Sequence, residues 1–544
     1  MDDQELQPVS NNSILIKSNA TTQNGSADRD HADLIRLGKK PVLRRNFGFM
    51  SMLGFSCTVL TTWEATLNIT PIAAVHDGST IDEAFSGGPA GLIYGFIIVW
   101  AGTAAVFASL SELASMAPTA GGQYHWVSML APYSSRKLFS YVTGWLTAWG
   151  WQANVASVSY ICGTLIQGLI TLTHPSYDPK PWHAVLLFWA AVGFAVFVNT
   201  VIGRLLPRVE GFILVVHVLG FFAIILPLIF FGQHQDASEM FGTFLNTGKF
   251  PTKGLSFMVG IVGTAFPFLG ADGAIHMSEE IRNAALVVPR SIMISIFING
   301  ALGFAVLLVT LFSLNDIKKV LKTPTGFPYM QVFLDATGSV AGATVMAGII
   351  VVMSFSANIG ILATASRMCW SFCRDRGLPG WHFLQHVDPH TALPIRSILF
   401  TMLVSILLSL IVLGSSTAFN DLVGLTVAAL NSSYLIASGL LLYRRCTGGI
   451  LPSQMNLASK DSDDAKLVYG PWYIPGIYGI AVNAFACFYL TVLIFFCMWP
   501  SELPVSAENM NFTALVTVVV VAFSIGYYYL WARRIYTGPV VEII

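Results

Sequence analysis

The stretch AFPFLGAD, residues 265–272, interrupts one of the long apolar runs of the chain, and MLGFSCT, residues 52–58, interrupts another. Proline removes a backbone donor and clashes with the preceding helical turn, while glycine tolerates non-helical dihedral angles. Freed backbone groups at membrane depth persist only where they line a cavity or are buried in protein. We therefore expect two helices to unwind, at Gly54–Thr58 and at Ala265–Gly270. For Ala265–Gly270, the alternative is a simple kink at Pro267.

The composition of the chain excludes a soluble protein. Of its 544 residues, 54% are hydrophobic and 11% are charged, whereas a soluble domain carries about 25% charged residues. Too few polar side chains remain to cover a solvated surface, so we expect an integral, multi-pass protein of the lipid bilayer. The 29 basic and 29 acidic residues cancel. A nucleic-acid partner, which requires a concentrated basic face, is therefore not expected.

The apolar runs predict twelve spanning helices, because a helix needs about 20 mostly apolar residues to cross a bilayer. We number them spans 1–12, and they lie near residues 47–72, 90–113, 139–171, 183–203, 209–231, 254–278, 291–314, 338–366, 396–413, 418–442, 474–499 and 512–532. They form one domain, about 44–536, with spans 1–5 over about 47–231, spans 6–10 over about 254–442 and spans 11–12 over about 474–532. The polar residues 1–43 are predicted to be a disordered tail, and residues 537–544 a short second tail.

The distribution of basic residues predicts the orientation of these spans, since cytoplasmic loops carry an excess of Lys and Arg. With the N-terminus inside, the inner segments hold all but six of the 29 basic residues. The six outer ones are Lys180, Lys249, Lys253, Lys318, Lys319 and Lys322. Both termini are therefore expected in the cytoplasm.

The two interrupted spans occupy matching places in the chain. Span 1 opens a first unit of five helices, spans 1–5, and span 6 opens a second, spans 6–10. Interrupted helices at corresponding positions of two halves indicate a transporter whose binding site lies between inverted repeats. This pairing favours two true interruptions over a single proline kink.

Three motifs at the predicted inner ends of spans 2, 6 and 8 carry a family resemblance. They are ELASMAPTAGGQYHW at 112–126, DGAIHMSEE at 272–280 and SRMCWSFCRDRGLP at 366–379. Together they resemble the fungal amino acid/choline transporter family, which includes GABA permeases and choline permeases. That family belongs to the amino acid–polyamine–organocation superfamily. The resemblance implies an all-α membrane protein with twelve transmembrane helices, a LeuT-like 5+5 inverted repeat with broken helices 1 and 6, and secondary active transport coupled to protons.

One segment departs from the pattern of that family. The family usually connects spans 1 and 2 by a short loop that ends in Gly-Gly-Pro, seen here at 87–89. This chain carries an additional polar stretch at about 75–83. The stretch is either an insertion at the outer gate or an artefact of the gene model.

Ionisable residues inside the spans are the candidates for ion coupling, because such groups are costly in a membrane. Asp272, His276 and Glu280 are spaced by four and are expected to form one stripe on the inner half of span 6. A midplane carboxylate connected to the cytoplasm by His and Glu has the form of a proton path. The alternative is that these groups tie span 6 to its neighbours by hydrogen bonds, with Glu280 solvated. Glu64 in span 1 would either face the site and attract an ammonium group or serve as a hydrogen-bonded structural acid.

The substrate site is expected at the two interruptions. Phe266 and Phe268 flank Pro267 and could surround an ammonium group, since cation–π attraction at a desolvated site contributes about 2 kcal/mol or more. Ordinary packing is the alternative for any single aromatic residue. The candidate substrate-binding residues are Gly54, Phe55, Ser56, Cys57, Thr58, Ala265, Phe266, Phe268 and Gly270.

These observations predict a secondary active permease of the plasma membrane for a small amine-bearing solute. An amino acid such as GABA is the first expectation, with a proton rather than sodium as the co-transported ion. The alternatives are a permease for choline or another organic cation, and a nutrient receptor that keeps the fold without transport. The intramembrane charges form no catalytic arrangement, so neither an enzyme, a cofactor nor a metal site is expected.

Overall fold

The computed structural model describes residues 24–73, 87–232, 234–246, 248–314, 319–320, 322–414, 416–451, 467–500, 502–506 and 510–542, with the backbone alone for 24–28, 69–73 and 416–422. The additional stretch at 75–83 lies outside these ranges. Within them the chain is almost entirely helical. Two-residue strands, Ile450–Leu451 and Leu467–Val468, pair in parallel between spans 10 and 11.

The predicted spans correspond to helices of the structure. Eleven helical segments in the described ranges are long and apolar enough to cross a membrane. Span 1 is the twelfth, and it consists of two helices of 12 residues each, which we name 1a and 1b. The bounds are Phe49–Leu60 (1a), Thr62–Ala73 (1b), Gly88–Met116 (span 2), Arg136–Thr173 (3), Pro181–Thr200 (4), Leu206–Phe231 (5), Lys253–Ala265 (6a), Gly273–His276 (6b), Ala284–Phe312 (7), Val340–Arg374 (8), Ile395–Ser409 with Ile411–Gly414 (9), Ser416–Cys446 (10), Gly476–Cys497 (11) and Thr513–Leu530 (12).

Shorter helices lie between the spans. They cover Asn24–Arg36, Gln123–Leu130, Ala237–Gly242, Pro328–Thr337 and Trp381–Leu384. Spans 3 and 8 are the longest helices, with 38 and 35 residues, and they run against each other through the middle of the molecule. Spans 4, 5, 9, 11 and 12 expose many large apolar side chains on their outer faces. Such faces suit contact with lipid and not with water.

The packing pairs corresponding members of the two five-helix units. Span 2 lies along span 7, and span 3 lies along span 8. Glycines permit the first contact. A Cβ atom on Gly300 of span 7 would lie 2.0 Å from the indole ring of Trp100, and one on Gly303 would lie 3.0 Å from the ring of Phe96.

The terminal segments are more ordered than their composition suggests. Residues 24–36 form a helix, and the side chain of Lys39 is fully buried against Asp375 at the inner end of span 8. The C-terminal segment also binds there, because the backbone N–H of Val540 donates to Asp375 Oδ1 at 2.9 Å. This corrects the prediction of a disordered tail for residues 24–43. Polar segments gain fixed partners when buried charges at the span ends are available to pair with them.

Candidate functional site

Span 6 is interrupted where Pro267 and Gly270 stand. Helix 6a ends at Ala265, residues Phe266–Phe268 form a single 3₁₀ turn, and Leu269 has extended backbone. Gly270 has φ +100°, which L-residues rarely adopt. A Cβ atom there would also lie 3.1 Å from Val59 Cγ1 of helix 1a. The expected interruption of span 6 is present, and it extends beyond Gly270 to the start of helix 6b.

The interruption of span 1 lies elsewhere than expected. Helix 1a runs without a break through Gly54–Thr58, and the backbone leaves helical geometry only at Thr61, which has φ +45°. A Cβ atom on Gly54 would lie 2.4 Å from the carbonyl oxygen of Glu210 in span 5. Gly54 therefore permits two helices to approach closely and does not unwind one, which corrects the expectation for this stretch.

The remaining candidates of helix 1a point in different directions. The ring of Phe55 lies between spans 6 and 8, within 3.5 Å of Cβ positions built on Gly273 and Gly360. Cys57 is buried beside Asn299 of span 7. The hydroxyl of Thr58 donates to the carbonyl of Gly54 within the helix, at 2.8 Å. Ser56 is buried and its hydroxyl has no hydrogen-bond partner among the described residues.

The two interruptions are in direct contact. The hydroxyl of Thr62, the first residue of helix 1b, donates to the carbonyl oxygen of Pro267 at 2.8 Å. That carbonyl is one of the backbone groups that the break in span 6 frees. The inner ends are connected too, because Phe47 and the segment Glu280–Arg282 exchange two backbone hydrogen bonds. Spans 1 and 6 therefore form one unit at the centre of the molecule.

Asp272 is the polar centre of this unit. Its carboxylate is fully buried and accepts hydrogen bonds from three directions. Gln123 Nε2 donates to Oδ2 at 2.9 Å, Trp151 Nε1 of span 3 donates to the same oxygen at 3.2 Å, and the hydroxyl of Tyr434 in span 10 donates to Oδ1 at 2.6 Å. The carboxylate therefore ties span 6 to spans 3 and 10 and to the helix Gln123–Leu130.

His276 lies one turn further along and contacts the same carboxylate. Its Nδ1 atom is 2.8 Å from the carbonyl oxygen of Ala120, so Nδ1 carries a proton and donates. Its Nε2 atom faces Asp272 Oδ2 at 3.5 Å and has no other polar partner among the described residues. Sequence reasoning predicted this pair, but not Gln123, Trp151 or Tyr434. Of these three, Gln123 lies in the sequence motif at 112–126.

Glu280 does not continue the stripe towards water. It is 6% exposed, and its carboxylate accepts from Arg367 Nε of span 8 at 2.8 Å. The neighbouring Glu279 forms a bidentate pair with Arg374, at 2.7 and 2.9 Å. The expectation that Glu280 reaches the cytoplasmic surface is therefore wrong, because these arginines bury and neutralise both carboxylates.

Ala120 connects the Asp272–His276 pair to these ion pairs. Its carbonyl accepts from His276, and its N–H donates to Glu279 at 3.1 Å. With the pair Lys39–Asp375, the groups Glu279–Arg374 and Glu280–Arg367 form what we call the inner ionic cluster. Burial raises the pKa of Glu279, but Arg374 outweighs this effect and the net pKa lies below its usual value. Burial also raises the pKa of Asp375, but the positive charges of Lys39 and Arg374 lower it further, so the net pKa of Asp375 lies below its usual value as well.

Glu64 faces span 5 and not the interruption of span 6. Its Oε1 atom lies 3.0 Å from Nδ1 of His217, and Trp63 Nε1 lies 3.2 Å from the same imidazole. All three side chains are buried. The second carboxylate oxygen, Oε2, has no partner among the described residues. This geometry favours a structural acid that joins helix 1b to span 5.

A narrow void adjoins the break in span 6. It has room for about one water molecule, so the structure is closed around the site. Phe268 lines it and lies 5.1 Å, between ring centroids, from Phe96 of span 2, whereas Phe266 is half-buried and lies outside the lining. The complete lining is Thr103, Val106, Phe107, Ala265, Phe268, Leu269, Asn431, Tyr434, Tyr489 and Leu493. Within the described ranges, no three His, Cys, Asp or Glu side chains could together hold a metal ion.

Comparison with known proteins agrees with this architecture. Residues 47–522 match the family model described as "Amino acid permease". A choline transporter of Saccharomyces cerevisiae is 30% identical over 503 residues, which cover 92% of this chain and 84% of that protein. Amino-acid permease 2 of Neurospora crassa is 27% identical over 523 residues, which cover 96% of this chain and 91% of the relative.

Proposed function

Since the chain belongs to the amino acid permease family, we propose that it is a secondary permease that couples the entry of a small amine-bearing solute to a proton. The family makes it a multi-pass membrane transporter of the amino acid or choline type, and the relatives bear transporter and permease names. A receptor without transport is therefore no longer needed as an alternative. The coupling ion, the solute and the residues that bind them are our proposals.

The observation that carries proton coupling is the contact between His276 and Asp272. The Nδ1–H of the imidazole is committed to the carbonyl of Ala120, so in a neutral ring Nε2 can only accept. An ionised Asp272 can also only accept, and the two atoms are 3.5 Å apart. Two acceptors at this distance repel each other unless a proton lies on one of them. A proton shared between the two groups would turn this repulsion into a hydrogen bond, at the place where the two broken helices meet.

The release of this proton depends on the inner ionic cluster. The carbonyl of Ala120 fixes His276, and the N–H of Ala120 binds Glu279. Separation of Glu279 from Arg374 would free the backbone at Ala120 and then the imidazole. Proton loss from His276 towards the cytoplasm thus requires the inner side to open. Buried imidazole and carboxylate groups suit a proton, whereas sodium requires several oxygen ligands.

The solute is proposed to bind against the break in span 6. The carbonyl oxygens near Pro267 and the ring of Phe268 offer an ammonium group hydrogen bonds and a cation–π contact. Helix 1a contributes Phe55 and the Val59 contact to Gly270. Gly54 and Cys57 support the site through contacts with spans 5 and 7, and Thr58 through its hydrogen bond within helix 1a. An amino acid such as GABA remains the first candidate.

A second candidate, choline or another organic cation, is favoured by the aromatic lining of the void. Phe107, Phe268, Tyr434 and Tyr489 surround it, and no charged side chain is part of the lining. Aromatic faces without an anionic partner are a common way to bind a quaternary ammonium group. This arrangement would accommodate the cation and offers no counter-charge to a solute carboxylate.

Uptake into proteoliposomes distinguishes these proposals. The purified chain is reconstituted, and radiolabelled GABA and choline are offered with and without an inward pH gradient. We expect one of them to accumulate only with the gradient and to carry protons that a pH dye inside the vesicles detects. Accumulation driven equally by a sodium gradient at constant pH would contradict proton coupling. If the vesicles take up neither solute but accumulate another amine, only the proposed substrate has to change.

The location is proposed to be the plasma membrane, with both termini in the cytoplasm. The excess of basic residues on one side of the spans supports this orientation. Protease treatment of intact spheroplasts expressing the chain with an epitope at each end would test it. Both epitopes should remain protected until the cells are permeabilised.

A further inference from the structure

An apolar groove lies at the inner end of span 9, away from the broken helices. It has a volume of about 380 Å³, within the range of about 300–1,000 Å³ that is typical of small-molecule sites. One wall is formed by the segment that contains the short helix Trp381–Leu384, and the other by span 9. The lining is Pro379, Gly380, Phe383, Leu384, Arg396, Leu399, Phe400 and Leu403.

The depth of this groove can be read from span 9. Arg396 is the second residue of that helix, which places it at the level where the chain enters the membrane. Leu403 lies seven residues further, about 10 Å deeper at 1.5 Å per residue. Phe383, Leu399 and Leu403 are 60%, 44% and 52% exposed. The groove therefore starts at the interface and opens sideways towards the hydrocarbon of one leaflet.

Arg396 gives the upper end of the groove a positive charge. Its guanidinium group lies 4.5 Å above the ring of Phe383, and Nη1 donates to the carbonyl of Phe383 at 3.3 Å. Among the described residues it forms no ion pair, so most of its N–H groups are available to a ligand. The acidic residue of the same loop, Asp388, is bonded to Thr391 and is not part of the lining.

We propose that this groove binds an anionic phospholipid, with the phosphate at Arg396 and one acyl chain along Leu399 and Leu403. A lone anion would use the arginine but not the apolar walls, and an uncharged lipid would use the walls but not the arginine. Basic pockets beside membrane helices on the cytoplasmic side are known to suit anionic headgroups. The combination found here fits a ligand that is both anionic and apolar.

Such a lipid would support the closed inner side of the transporter. Leu384, at the floor of the groove, packs against Cys369 and Cys373 in the last two turns of span 8. The next residues of span 8, Arg374 and the adjoining Asp375, belong to the inner ionic cluster. A ligand that fixes the segment around Leu384 therefore stabilises the helix end that carries the cluster.

Native mass spectrometry of the full chain in an uncharged detergent tests the proposal. The protein is titrated with phosphatidylglycerol or phosphatidylcholine of identical acyl chains, and bound lipid is counted. We expect phosphatidylglycerol to bind at least tenfold more tightly than phosphatidylcholine. Arg396→Ala should abolish that preference, Arg396→Lys should retain part of it, and Leu399→Trp should weaken the binding of both lipids by filling the groove.

Arg208→Ala is the matched control, because Arg208 is an exposed arginine at the inner end of span 5. It should leave the preference unchanged. The proposal is overturned if Arg396→Ala binds phosphatidylglycerol like the wild type, or if Arg208→Ala has the same effect as Arg396→Ala. Displacement of the lipid by glycerol 3-phosphate would also overturn it, since it would show a site for water-soluble anions. Should Arg396→Ala fail to fold, the Leu399→Trp variant, which keeps the arginine, still decides the outcome.

Discussion

Span 1 leaves helical geometry at one residue, Thr61, whereas in span 6 the α-helix is interrupted from Phe266 to Asp272, by a 3₁₀ turn followed by extended backbone at Leu269. The two spans occupy the same place in their halves, and each contains a glycine among the candidate substrate-binding residues. Gly270 has positive φ and needs the freedom of glycine, while Gly54 lies in an intact helix and needs only its small size. Glycine in an apolar run therefore has two distinct meanings. A neighbouring proline, present only in span 6, distinguishes them here.

Because of this difference, the two spans have different roles. Span 6 supplies the groups that can bind a solute and a proton, because its break frees carbonyls and presents Asp272. Span 1 supplies a partner surface, through Phe55 and Val59, and one hydrogen bond from Thr62. Its acidic residue, Glu64, is bonded to span 5.

The largest effect is expected from filling the break in span 6. Gly270→Leu should abolish uptake, because a side chain at φ +100° is strained and would meet Val59. Gly54→Ala should instead lower the thermal midpoint, at a cost of about 1–3 kcal/mol for overpacking, with KM unchanged in the protein that remains folded. Gly193→Leu, at a glycine with no atom within 4 Å of its Cβ position, is the control. Normal uptake by Gly270→Leu would show that this position does not adjoin the solute.

The next effect separates the acidic residues of the two spans. Asp272→Asn should still exchange solute across the membrane but lose accumulation against a pH gradient. For one proton per solute, that loss is about tenfold per pH unit. Glu64→Gln should keep gradient-driven accumulation and lose stability instead. Exchange and net uptake in the same proteoliposomes measure both properties. The opposite result, with accumulation lost only in Glu64→Gln, would move the coupling site to span 1.

A smaller effect is expected within span 6 itself. Phe268→Ala should raise the KM for an amine solute about tenfold, which corresponds to about 1.4 kcal/mol, because Phe268 lines the void. Phe266→Ala should change it little, since Phe266 is half-buried outside that lining. Uptake kinetics of the two variants, normalised to folded protein, give the comparison. Equal changes in KM would mean that the void is not where the ammonium group binds.

The smallest effect is expected from the contact between the two interruptions. Thr62→Val removes the hydroxyl that donates to Pro267 and preserves the shape of the side chain. A net hydrogen bond contributes about 1 kcal/mol, so we expect roughly a fivefold lower uptake rate. Thr171→Val removes a hydroxyl bonded within span 3 and serves as the control. If both variants transport equally well, the two breaks act independently.

The sequence was most informative where a single physical rule applies. Long apolar runs predicted the twelve spans, and Pro267 with Gly270 predicted the break in span 6. The break at Thr61 carries no such signal, because the left-handed residue there is neither a glycine nor next to a proline. The partners of Asp272 come from three separate segments of the chain, and Tyr434 is 162 positions away from it. No local pattern reveals such a convergence.

The same reasoning explains the errors at the inner side. Glu280 seemed solvated because the helical period places it at the interface, and the pairing with Arg367 depends on how span 8 packs. Residues 24–43 seemed disordered because they are polar. Their order comes from Lys39 and from contacts to segments hundreds of residues away, which composition does not report.

One carboxylate, that of Asp375, binds both the N-terminal and the C-terminal segment of the part of the chain that the structure describes. Lys39 approaches it from the N-terminal segment and the Val540 N–H from the C-terminal segment, while the N–H of Glu542 donates to the carbonyl of Gly38 at 2.7 Å. The two segments are thus fastened to each other as well as to span 8. If the inner end of span 8 moved away from these segments, it would break the contacts of Asp375 with both of them.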